Sequence, residues 1–195
     1  MACAESLTVS FAPNCSALKK TGGFANFGYI GTISDLSGIT VASGAISALA
    51  WDTAKVLTKF TTKERSVTAE SPIEDEGEGN VTLVNHTVNL PIYFDTQAEL
   101  TAIDTILQSD RLFVILPTSN KQFRAYGLVN DLTNYDFENF GLKVSGGSDA
   151  PGQNLNDPSR MNLVLSGQMP NVPPFFLSTD YTATLALLED YLTNP

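Results

Sequence analysis

Cysteine, histidine and charge are all scarce in this chain. Its 195 residues include 2 cysteines and 1 histidine, and each scarcity closes off a class of chemistry. Cys3 and Cys15 are too few for a disulfide framework. A globule of this size buries roughly 70% of its unfolded surface and does not need one. Two reduced thiols are therefore expected in preference to one bridge. The lone His86 argues against a zinc centre, which combines several His and Cys ligands. Charged residues make up 16% of the chain, below the roughly 25% of an ordinary soluble domain. Disorder needs dense charge and few apolar residues, whereas 43% of this chain is hydrophobic. The chain folds, and partner protein is expected to cover part of its surface.

Basic residues are the scarcer sign, 11 against 21 acids, for a net charge of -10. Such a chain does not grip duplex nucleic acid by counterion release, which takes clustered Lys and Arg. It can still lie beside DNA without binding it. No apolar run approaches the roughly 20 residues of a membrane span. Residues 1–6 carry neither a basic nor an apolar signal region. A soluble protein, made in a cytoplasm and not inserted in a membrane, is expected.

The dominant period is two, broken by turns. Leu7, Val9 and Phe11 alternate with Thr8 and Ser10 until Pro13, a short strand. Residues 16–50 are punctuated by Gly22, Gly23, Gly28, Gly31, Gly38 and Gly44 and fit short strands or an extended arm, with 39–51 readable as strand or helix. Residues 56–63 alternate again, and Val84, His86, Val88, Leu90, Ile92 and Phe94 share one face of a second run. Between them lie turn formers and acids at 70–79, so 56–94 reads as one long β-hairpin with an acidic tip.

Thr96 and Glu99 have capping-box spacing, and Leu100, Ile103, Ile106 and Leu107 follow at helical spacing. Residues 112–116 are continuously apolar and predict a strand buried on both faces. A turn at 118–121 leads into a further hairpin strand at 122–129. Tyr135 and Phe137 then fall on odd positions, but Phe140, Leu142 and Val144 on even ones, which predicts a bulge or bend near Asn139. A loop at 145–159 precedes an alternating strand at 160–167. Pro170, Pro173 and Pro174 read as a linker to a C-terminal helix at 181–192, capped by Thr179 or Asp180. The expected fold is mainly β: an antiparallel sandwich or barrel with long hairpins, one flanking helix and a C-terminal helix. Residues 1–169 form the β domain with an N-terminal arm, and 170–195 a Pro-linked extension.

Chemical motifs are weak throughout. The acids at 70–79 lack the spacing of an EF-hand, and clustering on one tip suits neither calcium nor a glycosidase pair. His86 is conceivable as a general base, but no serine or cysteine motif accompanies it, and a hydrogen-bonded strand histidine is the better reading. Gly146, Gly147 and Ser148 lack the Lys and helix of a phosphate loop and read as a plain loop. Trp51, Phe175 and Phe176 fit core or interface anchors better than sugar-stacking platforms. No catalytic residue, metal or cofactor is expected.

The order of elements resembles the tail tube protein fold of long-tailed bacteriophages and related injection machines. Locally, Thr68-Ala69-Glu70-Ser71 before an acidic turn, His86-Thr87-Val88, and residues 112–116 leading to Arg124-Ala125-Tyr126-Gly127 look like structural proteins of phages and prophages of the Bacteroidetes group. The resemblance covers residues 56–167. It implies a virion subunit with no active site that joins sheets edge to edge into a ring, usually of six, around a channel. Rings then stack and contact other tail or connector proteins, and DNA passes without specific binding. Assembly in the bacterial host cytoplasm and residence in the virion tail follow. A subunit interface is then expected at Glu74, Asp75, Glu76 and Glu78 on the hairpin tip and at Asp149 and Asp157 in the 145–159 loop. Asp136 and Glu138 are candidates for the channel lumen, or equally for a solvated outer face. Another virion ring, connector, tail-hub or capsid-decoration protein is the alternative within this class. A carbohydrate-binding β domain and a carboxylate-based enzyme are the alternatives outside it.

Overall fold

The computed structural model describes residues 23–52, 57–62, 66–74, 83–94, 96–150 and 160–193. They build two packed, mostly antiparallel sheets, as the alternation predicts. In chain order the strands are β1 (Phe27–Thr32), β2 (Leu36–Ala42), β3 (Ala45–Trp51), β4 (Thr58–Thr61), β5 (Thr68–Glu70), β6 (Ile73–Glu74), β7 (Leu83–Tyr93), β8 (Leu112–Pro117), β9 (Phe123–Tyr126), β10 (Lys143–Ala150), β11 (Arg160–Met169) and β12 (Phe175–Phe176). Helix α1 (Gln97–Gln108) joins β7 to β8, and α2 (Tyr181–Thr193) closes the chain. The seven-stranded sheet has the order β2-β3-β12-β9-β8-β1-β4, and the five-stranded sheet consists of β10-β11-β7-β5 with β6 also paired to β7.

Strand β8 explains the layering. All of its residues are buried, because both faces of its sheet are covered. Val114 and Leu116 point into the core between the sheets, with Val88, Leu90, Leu163 and Leu165. Phe113 and Ile115 point the other way, into a core shared with Ile46, Phe176 and Leu188. Full burial of such side chains stabilises the fold by about 1.5–3 kcal/mol each, so this strand anchors both layers. The two sheets also touch through backbone at one corner, where Leu112 and Leu142 exchange hydrogen bonds of 2.7 Å.

The long hairpin divides. Strand β4 pairs with β1 in the seven-stranded sheet, while β5 and β6 pair with β7 in the other. The break follows from packing: the Phe60 ring fills the space over Gly28, its cross-strand partner on β1, so its strand joins the first sheet and the chain changes sheets before Thr68. Hairpin pairing thus holds for the β5–β7 part, and the tip at 75–82 lies outside the described residues. Along β7 the even positions Val84, His86, Val88 and Leu90 are buried as the alternation requires.

Helix α1 carries the expected capping box. The Thr96 hydroxyl accepts from the Glu99 N–H at 3.3 Å, and the Glu99 carboxylate accepts from the Thr96 N–H at 3.0 Å. Ile103 is its buried contact. Leu107, expected on the same stripe, is 42% exposed, because this helix touches the body along a narrow line. Residues 39–51 resolve as strand, in β2 and β3, joined by a turn at Ser43 and Gly44.

The bend expected near Asn139 is a short 3-10 turn at Phe137–Asn139, while the register shift falls later, between Val144 and Gly146. Two local expectations are corrected. The expected loop at 145–159 begins as strand: Gly146, Gly147 and Ser148 all pair with β11. Residues 151–159 lie outside the described set, as do the 7–11 strand, Cys3 and Cys15. The small side chains masked the strand signal, since glycine and serine give no alternation to read. At the C-terminus, Phe176 pairs with Phe123 of β9 and Ile46 of β3, so residues after Pro170 supply an interior strand of the larger sheet.

Candidate functional site

The histidine singled out by the sequence is a structural pin. His86 is fully buried on β7. Its Nε2 lies 2.8 Å from the Asn171 carbonyl oxygen, and its Nδ1 accepts from the Gly127 N–H at 3.3 Å. A carbonyl partner requires a proton on Nε2, and an N–H partner requires a lone pair on Nδ1, so the neutral tautomer is defined. Burial pushes its pKa down to about 4, against a smaller upward pull from the Asn171 carbonyl. Gly127 reaches this position with φ +83, and a Cβ there would meet the Leu112 carbonyl oxygen at 2.7 Å. One ring therefore joins the smaller sheet to the end of β9 and to the turn before β12.

Helix α2 is fastened to the larger sheet by side chains. Asp180 caps its start by accepting from the Ala183 N–H at 2.8 Å. Leu188 is buried, and Leu185 and Leu192 pack beside it, which places the apolar face read from the sequence against the sheet. The Tyr191 hydroxyl accepts from the Leu49 N–H at 2.9 Å. Its pKa is raised, chiefly by burial. Glu189 Oε1 accepts from the Tyr29 hydroxyl at 2.7 Å and from Lys59 Nζ at 2.6 Å. These two donors, Lys59 first, hold the Glu189 carboxyl below its ordinary range. Trp51 packs on Tyr191, with ring centroids 5.5 Å apart, as an anchor of this core.

The exposed features among the described residues include an edge, a patch and two depressions. Strand β10 is an outer strand of the smaller sheet, and residues 145–149 are exposed on both faces. The patch lies around β12, where Val172, Phe175 and Leu177 are exposed. The Arg124 guanidinium stacks 3.9 Å above the Phe175 ring and donates to the Pro173 carbonyl at 2.8 Å. A cavity of about 250 Å³ between α1 and β1 is lined by Thr32, Asp35, Thr58, Thr105 and Ser109 among others. A shallower groove of about 490 Å³ runs along Gly38, Ile39 and residues 132–137. Each is lined by one carboxylate, Asp35 or Asp136, so neither sets two acids across a cleft.

The acids expected at a subunit interface are only partly placed. Glu74 lies on β6, and Asp149 is exposed on β10. Asp75, Glu76, Glu78 and Asp157 lie outside the described residues. Asp136 and Glu138 are exposed, but on the 3-10 turn rather than a strand. Asp136 caps that turn by accepting from the Glu138 N–H at 3.1 Å, and the Glu138 carbonyl accepts from Arg111. The Arg124–Phe175 stack escaped sequence reading because its partners stand far apart in the chain; only the fold brings β9 and β12 together. No helix among the described residues is long and apolar enough to cross a membrane. No family model, curated protein or solved structure matches the chain.

Proposed function

We propose that the chain is a virion structural protein, a tail tube subunit that closes into rings, six favoured, and stacks around a channel for DNA. It is made in the bacterial host cytoplasm and resides in the virion tail. The observation that carries this reading is the outer edge of β10, which no strand among the described residues covers. It runs from Lys143 to Ala150, and Lys143 and Asp149 are its only charged residues. Unpaired strand edges invite pairing with another chain, and proteins that stay apart guard them with charge, proline or a covering segment. The larger sheet adds edges of its own at β2 and β4. Closing such edges between copies removes the hazard and yields a continuous wall.

The charge balance suits a conduit. A duplex carries about one negative charge per 1.7 Å, so a basic wall would hold the genome. With a net charge of -10 per subunit, an acidic or neutral wall is readily supplied, and Asp136 and Glu138 are the proposed lumen acids. Electron microscopy of the purified protein in negative stain tests the reading. Rings or stacked tubes are expected. A strictly monomeric protein at high concentration, also with tail initiator proteins present, overturns it.

A further inference from the structure

Six large hydrophobic side chains among the described residues are exposed, and three of them, Val172, Phe175 and Leu177, fall within a single short segment. Their exposures are 56%, 37% and 44%. The strand register explains the concentration. Phe176 pairs with Phe123 and turns inward, so its neighbours Phe175 and Leu177 turn to the opposite face, on the side of Arg124. That face of the larger sheet is covered by the smaller sheet at Val114, Leu116 and Tyr126. At β12 none of the described residues continues that cover. Apolar surface continuous with a core but left open is the usual mark of a protein contact.

Arg124 fixes the chemistry of the occupant. Its guanidinium is held flat on Phe175 and tied to Pro173, and among the described residues it meets no carboxylate. A planar, pre-oriented guanidinium beside apolar anchors suits a segment that brings one apolar side chain and one carboxylate. This chain carries such a segment. Ile73 is 67% exposed, the highest value among those six side chains, and Glu70 beside it is exposed, with Pro72 between them and Glu74 following.

We infer that Val172, Phe175, Leu177 and Arg124 receive the β5–β6 corner of a second copy, with Ile73 among the apolar side chains and Glu70 on Arg124. This inference rests on the self-assembling reading above. Socket and plug belong to different sheets of the same chain, so the contact is heterologous. Such contacts repeat around a closed ring or along a filament.

Mass photometry and negative-stain imaging of four proteins test it: wild type, Arg124→Glu, Glu70→Arg and the charge-swapped double variant. Each single variant is expected to weaken self-association about tenfold or more, as loss of a central contact does, and the swap to recover part of it. Ile73→Ser serves where Arg124→Glu disturbs the fold, because a side chain this exposed leaves the monomer intact; it is expected to weaken assembly likewise. Wild-type rings that persist unchanged in Ile73→Ser and Glu70→Arg overturn this contact and leave the tube reading standing. Dimers or irregular oligomers that all the single variants dissolve support the contact and overturn the tube. A monomeric wild type overturns both.

Discussion

Gly167 stands directly across from His86 in the β11–β7 ladder, and a Cβ on Gly167 would lie 2.2 Å from the Gly141 carbonyl oxygen. Backbone approaches backbone here because the segment before β10 crosses over β11. Gly167→Ala is expected to force that segment outward. The cost should be about 1–3 kcal/mol, the range of overpacked cores, read as a lowered urea midpoint. A variant as stable as wild type would show that the crossing segment yields freely.

His86 should make stability depend on pH. Its folded pKa is about 4, below the ordinary 6.5, so between those values the unfolded chain binds a proton that the folded chain does not. The contribution is complete above pH 6.5 and is lost as pH falls towards 4. Below that value both states are protonated and the loss stops. The total is of the order of 3 kcal/mol. Urea titrations across this window should show the loss in wild type, and His86→Gln should flatten it. Equal slopes in the two proteins would assign acid sensitivity to the carboxylates instead.

Helix α2 carries two fastenings of unequal worth. Tyr191→Phe leaves the buried Leu49 N–H without its acceptor, a loss of about 1–3 kcal/mol. Glu189→Gln weakens an ion pair whose partners are 37% and 40% exposed, where solvent screening limits the effect to about 1 kcal/mol or less. Chemical denaturation of both variants checks the order. A larger loss from Glu189→Gln would make the Tyr29–Glu189–Lys59 group the principal clasp.

What the sequence revealed follows from how local each signal is. The capping box at Thr96, the doubly buried β8 and the inward positions of β7 depend on neighbours in the chain, and alternation or spacing exposes them. The apolar face of α2 is legible for the same reason. The split of the 56–94 hairpin was not, because Phe60 fits either sheet by pattern, and only its packing over Gly28 beside Leu116 decides. Strand β10 was hidden by its glycines and serines. Of the site, the sequence marked His86, Phe175 and the acidic run, but the pairing of Phe175 with Arg124 requires the interior strand β12.

The proposed ring joint at β10 makes the last prediction. Residues 145–149 are exposed on both faces; a Cβ at Gly146 finds its nearest neighbour, on Val164, at 3.9 Å, whereas one at Gly147 would meet the Asn162 carbonyl oxygen at 2.6 Å, so Gly147 is left unchanged. Lysine on an edge strand opposes pairing with a second strand, since an approaching backbone must strip water from the charge. Gly146→Lys with Ser148→Lys is therefore expected to leave monomer stability within about 0.5 kcal/mol, as surface changes do. Ring closure should fail in the same protein, so that photometry shows subunits and short oligomers where wild type shows rings. Normal rings from the doubly substituted chain would move the joint to β2 or β4, the outer strands of the larger sheet. Lysines at β10 that abolish rings and unfold the monomer together would mean that this edge is needed within the subunit itself.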